Sequence, residues 1–256
     1  MSGDHQVRTL HTRAEMVDLL HIADAVWGPP AGSMVSPDFL MALAHSGGYV
    51  AGLFDVSQGA AHSPMVGCSF GMLGRFRGDF VLHSHITGVV ESLQHRGLGR
   101  KLKQHQRSWA RDNDLSGITW TFDPLVRRNG WFNLHCLGAT AEEYHVDFYG
   151  PLGDAINGTD ESDRLLAHWD ISSTRAHRAA ERPLPTSEPQ PGDVLVATPV
   201  DIVDIRRHDL EVARHWRTTV REQLVDAFDT AHIVGMTHDG AYVVRPRDLA
   251  HETRHQ

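Results

Sequence analysis

Ten residues, Gln94–Lys103 (QHRGLGRKLK), bring together two glycines and four basic side chains, directly after the apolar run VLHSHITGVV of residues 81–90. The order predicts a strand that turns straight into a helix. A helix N-terminus carries four N–H groups without intrahelical partners and a partial positive charge, which suits phosphate oxygens. Gly97 and Gly99 remove the Cβ atoms that would hold a phosphate off the backbone. Arg96, Arg100 and Lys101 add charge-assisted contacts. On spacing alone, two readings stay open: a basic surface turn, or a cradle for an anion.

The 19 histidines invite a metal reading. His83 and His85 share one strand face, being two residues apart. No HExxH-type spacing accompanies them, so solvated imidazoles and no metal site are expected. The two cysteines, Cys68 and Cys136, make neither a disulfide framework nor a zinc site, and reduced thiols in a cytoplasmic protein are expected.

The elements that must position these residues follow from periodicity and caps. A short strand fits residues 6–10. Thr12-Arg13-Ala14-Glu15 is a capping box, followed by Met16, Leu19, Leu20, Ala23 and Val26 at helical spacing up to Gly28-Pro29-Pro30. Ser36-Pro37 opens a second helix. Runs 49–55, 65–73 and 80–90 predict an antiparallel meander. After the turn, Leu98, Leu102, His105 and Trp109 form an apolar stripe, with Arg100, Lys101, Lys103, Arg107 and Arg111 on the other faces. A strand at 118–122 ends at Asp123-Pro124, and a helix over 129–137 ends at Gly138. Strands are expected at 143–149 and 164–171.

The prolines at 183, 185, 189 and 191 predict a linker or surface wrap over 172–192. Beyond it come a strand at 194–198, a helix over about 208–228 and a hairpin turning at Asp239-Gly240. The expected class is α/β (α+β): a mixed, mostly antiparallel sheet with flanking helices over residues 1–171. A small strand–helix–hairpin extension over 193–256 packs on it.

Bulk composition narrows the partners. A net charge of −8 and a pI near 6.1 argue against nucleic acid. The polar N-terminus, and the lack of any apolar run near 18 residues, argue against export or a membrane span. A homodimer is left open.

Gln94-His95-Arg96-Gly97-Leu98-Gly99 resembles the Q/R-x-x-G-x-G/A signature of the GNAT superfamily of acyl-CoA-dependent N-acyltransferases, and it stands between the fourth strand and third helix, as in that family. The element order through about residue 171 is similar to the whole GNAT fold. The runs ITWTFDPLVRRNGWFNLHCLGA (118–139), LHSHITGV, YHVDFYG, ESDRLLAHW and HWRTTVRE look like one subgroup with a C-terminal extension. Some of its members are found beside N-succinylamino-acid racemases, where N-succinylation of amino acids has been proposed.

The resemblance implies roles. Gln94, Arg96, Gly97, Leu98, Gly99, Arg100 and Lys101 would hold the pyrophosphate of acetyl-CoA or another acyl-CoA such as succinyl-CoA. The backbone of Gly88, Val89 and Val90 would pair with the pantetheine arm, with Asn133 as a further contact. His85, beside the thioester slot, is the candidate general base, a satisfied core histidine being the other reading. Many family members have a Tyr four residues before the Gly that ends the fourth helix; that position is Leu134 here. His135, Tyr144 and Tyr149 are then candidates for the thiolate's acid, and direct proton transfer from the amine or through water is equally open. Asp123 could hold an acceptor ammonium or cap the next segment, and Arg127 and Arg128 could bind a carboxylate. The implied activity is acyl transfer to a small-molecule amine such as an amino acid. A non-catalytic acyl-CoA-binding sensor is the alternative.

Overall fold

In a computed structural model the described residues are 4–28, 35–59, 63–153 and 159–247. They form ten strands and seven α-helices, and the chain divides into two compact units, the first running to Trp120 and the second starting at Thr121.

The first unit begins with β1 (His5–Thr9) and α1 (Arg13–Trp27). Thr12 caps α1: its hydroxyl accepts from the Glu15 amide, and the Glu15 carboxylate accepts from the Thr12 amide at 2.9 Å. Gly28 ends the helix at φ 84°, a backbone conformation suited to glycine. Pro29 and Pro30 lie outside the described residues. Helix α2 (Pro37–His45) starts from the Ser36 hydroxyl with Pro at its first position. Strands β2 (Tyr49–Asp55), β3 (Met65–Phe76) and β4 (Asp79–Val89) make the antiparallel meander, and β1 pairs with β2. Leu10, Met16, Leu19, Ala23 and Leu40 meet Val50, Cys68 and Phe70 in a core that withdraws Cys68 from solvent and pushes its thiol up to about 12. Helix α3 (Leu98–Asp112) and β5 (Gly117–Phe122) follow, β5 running parallel to β4.

In the second unit, α4 (Arg127–Trp131) continues into a single π-helical stretch, Phe132–Leu137, closed by Gly138 at φ 76°. Strands β6 (Thr140–His145) and β7 (Arg164–Asp170) are antiparallel. The strand expected over 143–149 ends early. Asp147 is left-handed at φ 45°, its amide donates to Asp163 and its carboxylate accepts from the Ser162 amide, so the chain turns there.

The segment read as a linker from residue 172 opens with a helix, α5 (Thr174–Glu181), capped by Ser173. Its prolines all follow that helix, which is why they do not disturb it. Strand β8 (Val194–Val196) precedes α6 (Ile202–His208) and α7 (Leu210–Thr230). The helix expected over about 208–228 is α7, and a short helix not expected, α6, precedes it; Asp209, at φ −150°, separates the two and caps α7. Strands β9 (Ala231–Met236) and β10 (Tyr242–Pro246) form the expected hairpin. Gly240 alone is left-handed (φ 87°), and its amide donates to the Thr237 carbonyl. Asp239-Gly240, a pair favoured in two-residue type I′ turns, instead closes a type I turn with a glycine bulge. Among the described residues no helix is long and apolar enough to cross a membrane.

Candidate functional site

The turn forms as expected. Gly97 is the N-cap of α3 at φ 78°, with no side-chain cap and no acidic residue in the first turn. The first helical bond runs from the Lys101 amide to the Gly97 carbonyl (3.1 Å), so the amides of Leu98, Gly99 and Arg100 precede the ladder. A Cβ built on Gly97 or Gly99 would meet nothing within 4 Å. There is open space over both glycines, Arg96 is exposed beside them, and Gln94 anchors the turn by donating to the Val89 carbonyl at 3.2 Å. Lys101 departs from its expected role: its amide belongs to the helix and its ammonium donates to the His5 carbonyl on β1. Leu98 is buried with Val89 and Leu102, so only its backbone is available to a ligand.

Strand β4 is shaped by a bulge. Gly71 pairs with Ser84 and Phe70 with Ile86, leaving His85 as the extra residue. The bulge puts Ser84 and Thr87, three apart, on one face, where their hydroxyls lie 3.4 Å from each other. Pairing with β5 ends at His83–Thr119, although β4 runs on to Val89. Beyond that pair the two strands part, so among the described residues the β5-side backbone groups of residues 84–89 have no partner in β5. Gly88 is covered on one side by Trp27, whose ring lies 2.6 Å from where a Cβ would stand. Val90 leaves the strand with its amide donating to the Val66 carbonyl.

His85 is half-buried, its ring 5.3 Å from that of Phe70, and burial pulls its pKa below the ordinary histidine value. His83 is lowered by burial and by its like-charged neighbours His85 and Lys103, and its Nδ1 meets the Thr119 hydroxyl at 3.2 Å. Both imidazoles are therefore neutral at neutral pH. On the other face of β4, Lys103 is buried, contrary to its expected place on the polar face of α3. Its Nζ donates to Ser84 Oγ and lies 3.9 Å from the centre of the Trp120 ring. Gln106 donates to Ser69 Oγ (2.7 Å) and Ser84 Oγ (2.9 Å). Burial drops the Lys103 pKa to about 7. Sequence periodicity missed this pair because the strand face opposite α3 is lined by hydroxyls, which accept polar helix residues.

The remaining candidates belong to the second unit. Asp123 is 5% exposed, and Arg217 grips it with two bonds of 2.9 and 3.0 Å while Arg206 donates at 2.5 Å. Burial raises its carboxyl, but the guanidiniums of Arg217 and Arg206 outweigh that and hold it far below the usual range. It also accepts the Leu125 amide, the cap reading. A carboxylate so occupied does not also receive an acceptor ammonium. Asp160 completes the cluster, bonded to both arginines. None of these partners was marked in the sequence.

Tyr144 donates to Asp163 at 2.5 Å, and burial together with that carboxylate raises its phenol well above the ordinary value, which removes it as an acid. Tyr149 is exposed, with its hydroxyl 3.1 Å from that of Thr121. His135 has both ring nitrogens engaged, Nδ1 with the Pro185 carbonyl and Nε2 accepting the Met236 amide at 2.8 Å. It is a neutral structural histidine. Arg127 is tied to the hydroxyl and carbonyl of Thr198, whereas Arg128 is exposed. Leu134 and Asn133 are buried on the π-helix, and Cys136 there is half-buried. Among the described residues no group of three or more His, Cys, Asp or Glu is arranged to hold a metal ion.

The meander, the glycine turn into α3 and the β4–β5 divergence are the features of the GNAT N-acyltransferase fold, and this chain has that fold. Solved structures with it include the NatC complex bound to Gag peptide and CoA (13% identity, TM-score 0.51, covering 65% of this chain and 98% of that one). The ribosomal-protein-S5-alanine acetyltransferase from Vibrio fischeri is similar at 16% identity and TM-score 0.51, over 68% of this chain and 96% of the other. Arabidopsis thaliana NAA60 in complex with acetyl-CoA gives 14% identity and 0.51, over 66% and 99%. At these identities the likeness is one of fold. No protein-family model matches the chain, and no curated protein does.

Proposed function

We propose that the chain is an acyl-CoA-dependent N-acyltransferase that moves an acetyl or succinyl group to the primary amine of a small molecule such as an amino acid. The observation that carries this reading is the turn at Gly97–Gly99, with its open space and uncapped amides, set at the end of a strand that diverges from its neighbour. Pyrophosphate oxygens fit there against the amides of Leu98, Gly99 and Arg100, with Arg96 alongside. The backbone of Gly88–Val90 offers hydrogen bonds to an extended amide-bearing arm. The donor, once bound, supplies an activated acyl carbon.

The chain's own part is to orient the amine and move its proton. An amine attacks only when neutral, and His85, itself neutral near pH 7 and on the bulge, is the group to accept its proton. Transfer is direct in a ternary complex: Cys68 is buried with a raised pKa and is no nucleophile. The likeness to the subgroup near N-succinylamino-acid racemases supports succinyl-CoA as a donor to test beside acetyl-CoA.

The deciding measurement is thiol release from acetyl-CoA and succinyl-CoA against a panel of amino acids and other amines. Release with at least one pair supports the enzyme. CoA binding without release across the panel would support the sensor instead, a reading favoured by the buried Leu134 at the helix position where many relatives have tyrosine.

A further inference from the structure

A cavity of about 360 Å³ opens in the second unit, with His135, Thr174, Arg175, Arg178, Leu184 and Thr186 among its lining. None of these residues belongs to the turn at 94–101. Arg175 and Arg178 stand one helical turn apart on α5, so both guanidiniums reach the same wall. Neither has a carboxylate partner among the described residues. Elsewhere in this unit Arg206, Arg217, Arg221 and Arg245, by contrast, are each bonded to one.

The Arg175 Nε is buried with no hydrogen-bond partner, and only one terminal nitrogen is used, donating to the Leu134 carbonyl at 3.0 Å. Burial, and then the like charge of Arg178, lowers its pKa. A half-buried guanidinium facing a second one, with donors to spare, is the arrangement that a bidentate oxyanion relieves. The hydroxyls of Thr174 and Thr186 add neutral donors, while Leu184 and Pro185 give one apolar wall. His135 presents only ring carbon to the space, since both its nitrogens are engaged.

We infer that this cavity binds a small organic anion, a carboxylate or a phosphate, held by Arg175 and Arg178. Because Arg175 also holds the Leu134 carbonyl, the occupied site braces the π-helical stretch 132–137.

The test is calorimetric titration of the full chain with inorganic phosphate and, separately, succinate, at constant ionic strength. Arg178 is exposed, so Arg178→Glu should fold as the parent does. Saturable binding of either anion, weakened about tenfold or more in Arg178→Glu and unchanged in Arg96→Glu, is the expected result. Phosphate alone or succinate alone identifies the headgroup. Binding lost in Arg96→Glu but kept in Arg178→Glu, or no saturable binding of either anion up to about 10 mM, overturns the assignment.

Discussion

Lys103 Nζ donates to Ser84 Oγ at 3.0 Å in a place that no carboxylate reaches among the described residues, its charge resting against the face of Trp120. The pair joins α3 to β4 one residue before the bulge that carries His85.

Stability should therefore depend on Lys103 with a definite sign. Its folded pKa of about 7 lies below the ordinary 10.5, so between those values the unfolded chain binds more protons than the folded one. Stability from this group rises with pH from about 7 toward 10.5 and is flat below. Lys103→Met should stabilise the protein at pH 6 by on the order of a few kcal/mol and remove that rise, read as the difference between the two proteins in urea unfolding at pH 6, 8 and 9.5.

Asp123→Asn should cost about 3–5 kcal/mol, because Arg217 is left buried without its full counter-charge. Adding Arg217→Met should recover much of the loss, and a double-mutant cycle in denaturant measures it. Since the Asp123 pKa is depressed, its contribution is present above the ordinary aspartate value and fades as pH falls below it. The wild type should lose this advantage over the double variant in acid.

Gly99→Leu separates the cradle from the fold. The new Cβ has no protein atom within 4 Å and the side chain extends into the open space over the turn, so circular dichroism should be unchanged while CoA affinity falls at least about tenfold in calorimetry. Equal affinity would remove the turn as the pyrophosphate site.

His85→Gln should lower kcat by about 10²–10⁴-fold with little effect on CoA binding. Burial lowers the His85 pKa, so the acid limb of the wild-type rate profile should lie below the ordinary histidine value of about 6.5. A limb above that value would assign the base elsewhere.

The sequence by itself determined what depends on near neighbours. The Thr12–Glu15 box, the Ser36-Pro37 start and the left-handed Gly97 each rest on contacts within about four residues, so their spacing announces them. The meander followed from alternation and Gly-containing links, and the turn stood where the quoted signature put it. Only the tertiary structure decided which polar residues are withdrawn from water. Arg217 meets Asp160 and Asp123 across 57 and 94 residues, and Lys103 is buried because hydroxyls from two distant strands line the face α3 covers. Charge burial depends on partners that chain distance hides, and so Asp123 and Tyr144 read as site residues until their partners were seen.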